Sequence, residues 1–107
     1  MATIQSEEIT FEELKILKIQ DRSPLFLPQI KSFDAVIIEY SHKLATKEMI
    51  HKIRTHNDEA VYLTPIFLYK VYGEEIDPDP LVDNVLYSLS DLSSIANQVR
   101  NIKERMS

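Results

Sequence analysis

Four consecutive apolar residues, Ala35-Val36-Ile37-Ile38, most of them β-branched, stand between Phe33-Asp34 and Glu39-Tyr40. A short run that is apolar on both faces and bounded by polar residues reads as a strand covered on two sides, the habit of a parallel sheet between helices. Leu14 to Ile19 partly alternates and reads as another strand, ended by the turn residues Gln20-Asp21-Arg22-Ser23-Pro24. Leu25 to Lys31 reads as a short helix or an apolar connection, and Pro28 counts against the helix. Thr46 is a candidate N-cap for a helix to about Thr55, with Met49, Ile50 and Ile53 on its buried face. After a turn at Asn57-Asp58-Glu59, the stretch Val61 to Tyr69 holds a second buried strand, Pro65-Ile66-Phe67-Leu68-Tyr69, which the proline can enter only near its beginning. Gly73 to Pro80 reads as a loop, and Asn84 to Tyr87 as a third buried strand. The clearest helix closes the chain. Leu92, Ile95, Ala96, Val99, Ile102 and Met106 share one face, polar residues take the rest, and Ser90 or Asp91 stands at the cap position.

Strand, helix, strand, loop, strand and terminal helix, with the strands apolar throughout, predict the α/β class: a three-layer sandwich around a mostly parallel central sheet. At 107 residues the chain is expected to form a single domain over 1–107. Open sheets of this class gather ligand and catalytic groups just past the carboxyl ends of their strands. Glu39 ends the most apolar strand and is therefore the first candidate functional residue. A bland reading stands beside it, since the first solvated residue after any core strand is often charged.

The composition, 44% hydrophobic and 27% charged, is that of an ordinary globular domain. The net charge of -5 and the lack of a basic cluster argue against nucleic acid or an anionic membrane as the main partner. There is no cysteine, which removes disulfides, thiol nucleophiles and cysteine metal sites. The first residues lack a basic region followed by an apolar core, and no apolar run approaches bilayer length, so a cytoplasmic location is the expectation. His42, His51 and His56 have no metal-binding spacing. Glu74, Glu75, Asp77, Asp79 and Asp83 lack the glycine-centred order of an EF-hand. No serine sits in a nucleophile elbow, and one glycine, Gly73, cannot build a phosphate-cradling loop. No metal or cofactor is therefore expected. Tyr62, Tyr69, Tyr72 and Tyr87 are expected to cluster near the strand ends, as core or as a contact patch.

The order and local wording resemble the receiver domain of two-component response regulators over Phe33 to Met106. That family carries an Asp-x-φ-φ-φ-Asp strand (φ apolar), a Pro-φ-φ-φ-Thr/Ser strand, and an Ala-Asp-Asp-φ-φ-x-Lys-Pro strand leading into the last helix. The counterparts here are Asp34 to Glu39, Pro65 to Tyr69, and Val82-Asp83-Asn84-Val85-Leu86-Tyr87-Ser88-Leu89. The resemblance implies a receiver-like (flavodoxin-like) topology with shortened or missing helices. It also marks Asp21, Glu39, Tyr69 and Ser88 as the positions of a phosphoacceptor site.

Each of those positions departs from the family pattern. Glu39 replaces the phosphoacceptor aspartate, Tyr69 the small hydroxyl residue, Ser88 the lysine and Leu89 the following proline, while Asp21 is the only acid near the preceding strand. A longer carboxylate is out of register with a metal that demands near-ideal octahedral distances. The expectation is a pseudo-receiver, not an enzyme, in signal transduction. It would act through a protein partner or as a homodimer, with Leu92, Ile95, Val99 and Ile102 of the terminal helix as contacts. Glu39 then either imitates a permanently charged phospho-aspartate or is a leftover carboxylate, and Lys70 is a candidate partner for it. The alternative is a small open α/β ligand-binding domain or enzyme with a pocket over the same four positions. Gln20 to Phe33 is too short for the helix, strand and helix that a complete receiver places there. Either a strand and a helix are deleted, or Leu14 to Ile19 is the outer strand and Thr3 to Phe11 the inner one, the arrangement preferred here.

Overall fold

A two-residue turn sets the arrangement of the first third. The structure, a computed structural model, describes residues 6–24, 26–70 and 79–106. Strands β1 (Ser6–Phe11) and β2 (Leu14–Gln20) form an antiparallel hairpin closed by the Phe11–Leu14 pair. Only Glu12 and Glu13 lie between, both left-handed with φ of 49° and 70°, as a tight hairpin whose twist matches its strands requires. A parallel neighbour would need a crossover of a dozen residues or more. The expected placement of Leu14 to Ile19 as the outer strand is thus reversed: β1 is the edge and β2 lies inside.

A 3-10 helix (Leu27–Ser32) then leads to β3 (Ala35–Glu39), α1 (Lys43–Arg54), the single turn α2 (Glu59–Tyr62), β4 (Ile66–Tyr69), β5 (Asn84–Leu86) and α3 (Leu92–Met106). The sheet order is β1-β2-β3-β4-β5, with β2 to β5 parallel. Alternation along each strand sends side chains to two separate cores. Ile19, Val36, Ile38, Ile66 and Leu68 meet the 3-10 helix, α1 and α2 through Ile30, Met49, Ile50, Ile53 and Val61. Ile16, Ala35, Ile37, Phe67 and Leu86 meet α3 through Ile95 and Val99. The result is the expected α/β sandwich of three layers around a mostly parallel sheet. No described helix is long and apolar enough to cross a membrane.

Local chemistry differs from expectation at the starts of α1 and α2 and agrees with it at the start of α3. Thr46 is not the cap of α1 but a buried residue of its first turn; His42 caps it, its Nδ1 accepting from the Ala45 N–H at 3.3 Å. Asp58 caps α2, a turn of helix where the sequence pattern suggested the approach to a strand. At α3, Asp91 takes the cap role, accepting from the Ser94 N–H at 3.0 Å. Most of the expected Gly73–Pro80 loop, with Glu74, Glu75 and Asp77, lies outside the described residues, as does Tyr72.

The last turns of α3 hold the hairpin down. Arg100 donates to the Glu12 carboxylate at 2.9 Å and to the Glu12 carbonyl at 3.2 Å. Lys103 pairs with Asp34, whose other oxygen accepts from the Lys15 N–H at 2.8 Å. These contacts hold a turn whose residues are poor left-handed formers, at a cost of about 1 kcal/mol each. Glu13→Gly, which leaves the Arg100 clamp intact, is expected to raise stability by about 1 kcal/mol, seen as a higher urea midpoint at unchanged slope.

Candidate functional site

The carboxyl ends of β2, β3 and β4 bring together three of the residues that matter. Residue parity places Lys18, Glu39 and Tyr69 on the α3 side of the sheet, in line with Ile16, Ile37 and Phe67. Glu39 and Tyr69 are direct register partners. Lys18 reaches across from β2 to the Glu39 carboxylate at 3.3 Å, and its ammonium stands 5.9 Å from the centre of the Tyr69 ring. Glu7 on the edge strand lies 4.0 Å from the same ammonium. Lys18, not Lys70, is therefore the partner of Glu39. Lys70 instead lies over the Tyr40 ring, 4.8 Å from its centre.

Glu39 is 40% exposed at its side chain and Lys18 22%, so the pair is a partly solvated one of modest worth. Glu39→Gln is expected to change unfolding free energy by less than about 0.5 kcal/mol in urea titrations.

Asp21 follows β2 and belongs to the opposite side of the sheet. It is 3% exposed, and its carboxylate is fully engaged. Oδ1 accepts from the Ser41 hydroxyl at 2.6 Å; Oδ2 accepts from the Ser41 N–H at 2.8 Å, the His42 N–H at 2.7 Å and the Thr46 hydroxyl at 2.7 Å. Its own N–H donates to the Glu39 carbonyl at 3.2 Å. Burial alone would raise the Asp21 pKa, but the hydrogen bonds from Ser41, His42 and Thr46 outweigh it and hold the carboxyl below its ordinary value of 3.8. The side chain thus ties the end of β2 to the β3–α1 connection and the first turn of α1.

Ser88, the fourth expected position, follows β5; its hydroxyl shares a hydrogen bond of 2.7 Å with the Ser90 hydroxyl and accepts from the Ser90 N–H. The four residues singled out by the resemblance therefore all lie at or beyond strand carboxyl ends: Glu39 and Tyr69 are register partners on one side of the sheet, Asp21 meets Glu39 only through its backbone, and Ser88 bonds to Ser90. Among the described residues, no group of three His, Asp or Glu side chains could hold a metal ion.

A cleft of about 490 Å³ opens beside Asp21, between the β2 turn and one face of α1. Arg22, Ser23, Leu27, Glu48, Met49 and Lys52 line it, with Lys52 paired to Glu48 at 3.0 Å. It takes in Asp21 but not Glu39, Tyr69 or Ser88, so it is not the pocket the sequence pattern suggested.

Two further expectations are corrected. Ile95 and Val99 are buried to 2% and 0% exposure, and Leu92 and Ile102 pack half-buried on the same core. These side chains seal the domain, and α3 is left with its polar outer face, including Ser93, Asn97, Asn101 and Glu104, for contacts. Of the expected tyrosine cluster, Tyr62 lies instead in α2 before β4, its carbonyl bound by Arg54, while Tyr69 ends β4 beside Leu86 and Tyr87, 51% exposed, follows β5.

Residue pattern had given no weight to Arg54, His42 or Lys18. Only Lys18 carried a visible signal, as a polar residue set between the buried Leu17 and Ile19. No protein-family model, curated protein or solved structure matches the chain.

Proposed function

We propose that this domain is a non-catalytic, receiver-like regulatory module that works through protein contacts. The observation that carries this reading is the separation of the two strand-end carboxylates. Phosphotransfer on a receiver needs its acids to converge on one metal and one phosphoryl group. Here Asp21 turns toward α1 with its oxygens occupied by Ser41, His42 and Thr46, while Glu39 turns to the α3 side and pairs with Lys18. The order of the parallel strands also supports it. Strands β2 to β5 stand side by side as strands 1, 3, 4 and 5 do in the doubly wound order 2-1-3-4-5. The antiparallel β1 occupies the place of the outer strand.

The reading is tested with a small phosphodonor and Mg²⁺, following incorporation by intact mass. No incorporation is the expected result. Stoichiometric, Mg²⁺-dependent incorporation that is lost in Glu39→Gln would overturn it.

The cleft beside Asp21 favours a second reading, a small open α/β ligand-binding domain or enzyme, with Arg22 and Lys52 as its cationic groups. A thermal-shift series with nucleotides and with inorganic phosphate separates the two: stabilisation that saturates and disappears in Arg22→Ala supports the cleft, and a flat response removes it.

A further inference from the structure

The two edges of the sheet are unlike. On one side β5 is three residues long, and its central N–H, that of Val85, is taken by the Asn84 side chain at 2.8 Å. The other edge, β1, is a six-residue strand free of proline and glycine, paired on one side only among the described residues. It carries no proline and no lysine, and the charges that guard it are the two acids Glu7 and Glu8. Both acids stay exposed, and each lies 4.0 Å from a β2 lysine that offsets its charge, Glu8 from Lys15 and Glu7 from Lys18.

We infer that β1 is a self-association edge, pairing antiparallel with β1 of a second copy to make one continuous sheet. The partner follows from symmetry. A two-fold axis perpendicular to the sheet keeps each face continuous, so directly opposed residues have numbers of equal parity and the axis passes midway between the two copies of one residue. Centred on Glu8, the pairing sets two carboxylates against each other, which is destabilising. Centred on Ile9, it opposes Ile9 to Ile9, Glu8 to Thr10 and Glu7 to Phe11, with no like charges opposed. The same register carries the half-buried apolar strip of Ile9 and Phe11 into contact with its copy on the α3 side. The inference rests on the contact-module reading and deepens it by naming the surface and the partner.

The cysteine-free chain makes the test direct. Light scattering on the full chain is expected to give twice the chain mass at high concentration. In the Ile9→Cys variant, opposed Cα atoms about 4.5–5.5 Å apart are within disulfide reach. Oxidation is expected to link two copies at least about tenfold faster than in Leu44→Cys, whose side chain is exposed elsewhere. A monomer at every concentration, equal rates at 9 and 44, or faster linkage in Glu8→Cys overturns the pairing. Those outcomes leave the contact-module reading standing; phosphate incorporation overturns that reading and leaves the edge pairing untouched.

Discussion

Arg54→Ala is expected to lower the unfolding free energy by about 3 kcal/mol or more, a large part of what a domain of this size possesses. One guanidinium at the end of α1 closes the amino edge of the sheet. Its Nε donates to the Leu81 carbonyl at 2.9 Å, one terminal nitrogen to the Tyr62 and Thr64 carbonyls at 2.8 and 2.6 Å, and the other to Asp83 at 3.1 Å. The same Asp83 oxygen accepts from the Ile66 N–H, the first of β4, at 2.8 Å. Arg54 thus joins α1, the end of α2, the entry to β4 and the approach to β5. Burial pulls the guanidinium below its ordinary value and the Asp83 carboxylate offsets part of that pull; a guanidinium remains charged. Truncation leaves three carbonyls and a carboxylate short of a charged donor, each such bond being worth about 1.5–3 kcal/mol. Arg54→Lys is expected to recover little, because an ammonium cannot reproduce the planar fork that spans these acceptors. Urea titration followed by circular dichroism checks both variants; a loss below about 1 kcal/mol in Arg54→Ala would show that water replaces the fork at little cost.

Asp21→Asn is the second large effect, with an expected loss of about 2–3 kcal/mol. The substitution keeps the shape but removes the charge that four donors share, and turns an amide NH₂ toward at least one of them. It also predicts a change in acid response. The folded pKa of Asp21 lies below its ordinary value of 3.8, so its contribution is complete above about that pH and is lost as pH falls through the folded value. Asp34 behaves in the same sense: burial raises it, but the hydrogen bonds from Lys103 and Lys15 and their charges prevail. Thermal midpoints measured from pH 6 to pH 2 are expected to fall below about pH 4 in the unaltered chain, and less steeply in Asp21→Asn. Parallel curves would show that other carboxyls govern acid unfolding.

Periodicity by itself determined the α/β class, the positions of β2 to β5 and the buried face of α3. Continuous apolar runs such as Ala35 to Ile38 and the helical spacing of Ile95, Ala96 and Val99 report burial on two faces or one, whatever the neighbours are. The cap of α3 was legible to within two residues, Ser90 or Asp91, because a cap acts within one turn of chain, and the fold chose Asp91. Tertiary structure decided the rest. Nothing local marks Glu12-Glu13 as a left-handed turn in place of the asparagine and glycine usual there; it is held by Arg100, 88 positions away along the chain. Glu39 was visible as a strand-end carboxylate, yet its partner depended on the β2–β3 register, which sets Lys18 beside it and leaves Lys70 to Tyr40. Asp21 read as a turn residue and a degenerate ligand, but its role arises only when the fold brings Ser41, His42 and Thr46 around it. Pattern along a chain records which side chains leave water, whereas the pairing of polar groups is settled by which distant segments the packed core brings within hydrogen-bond reach.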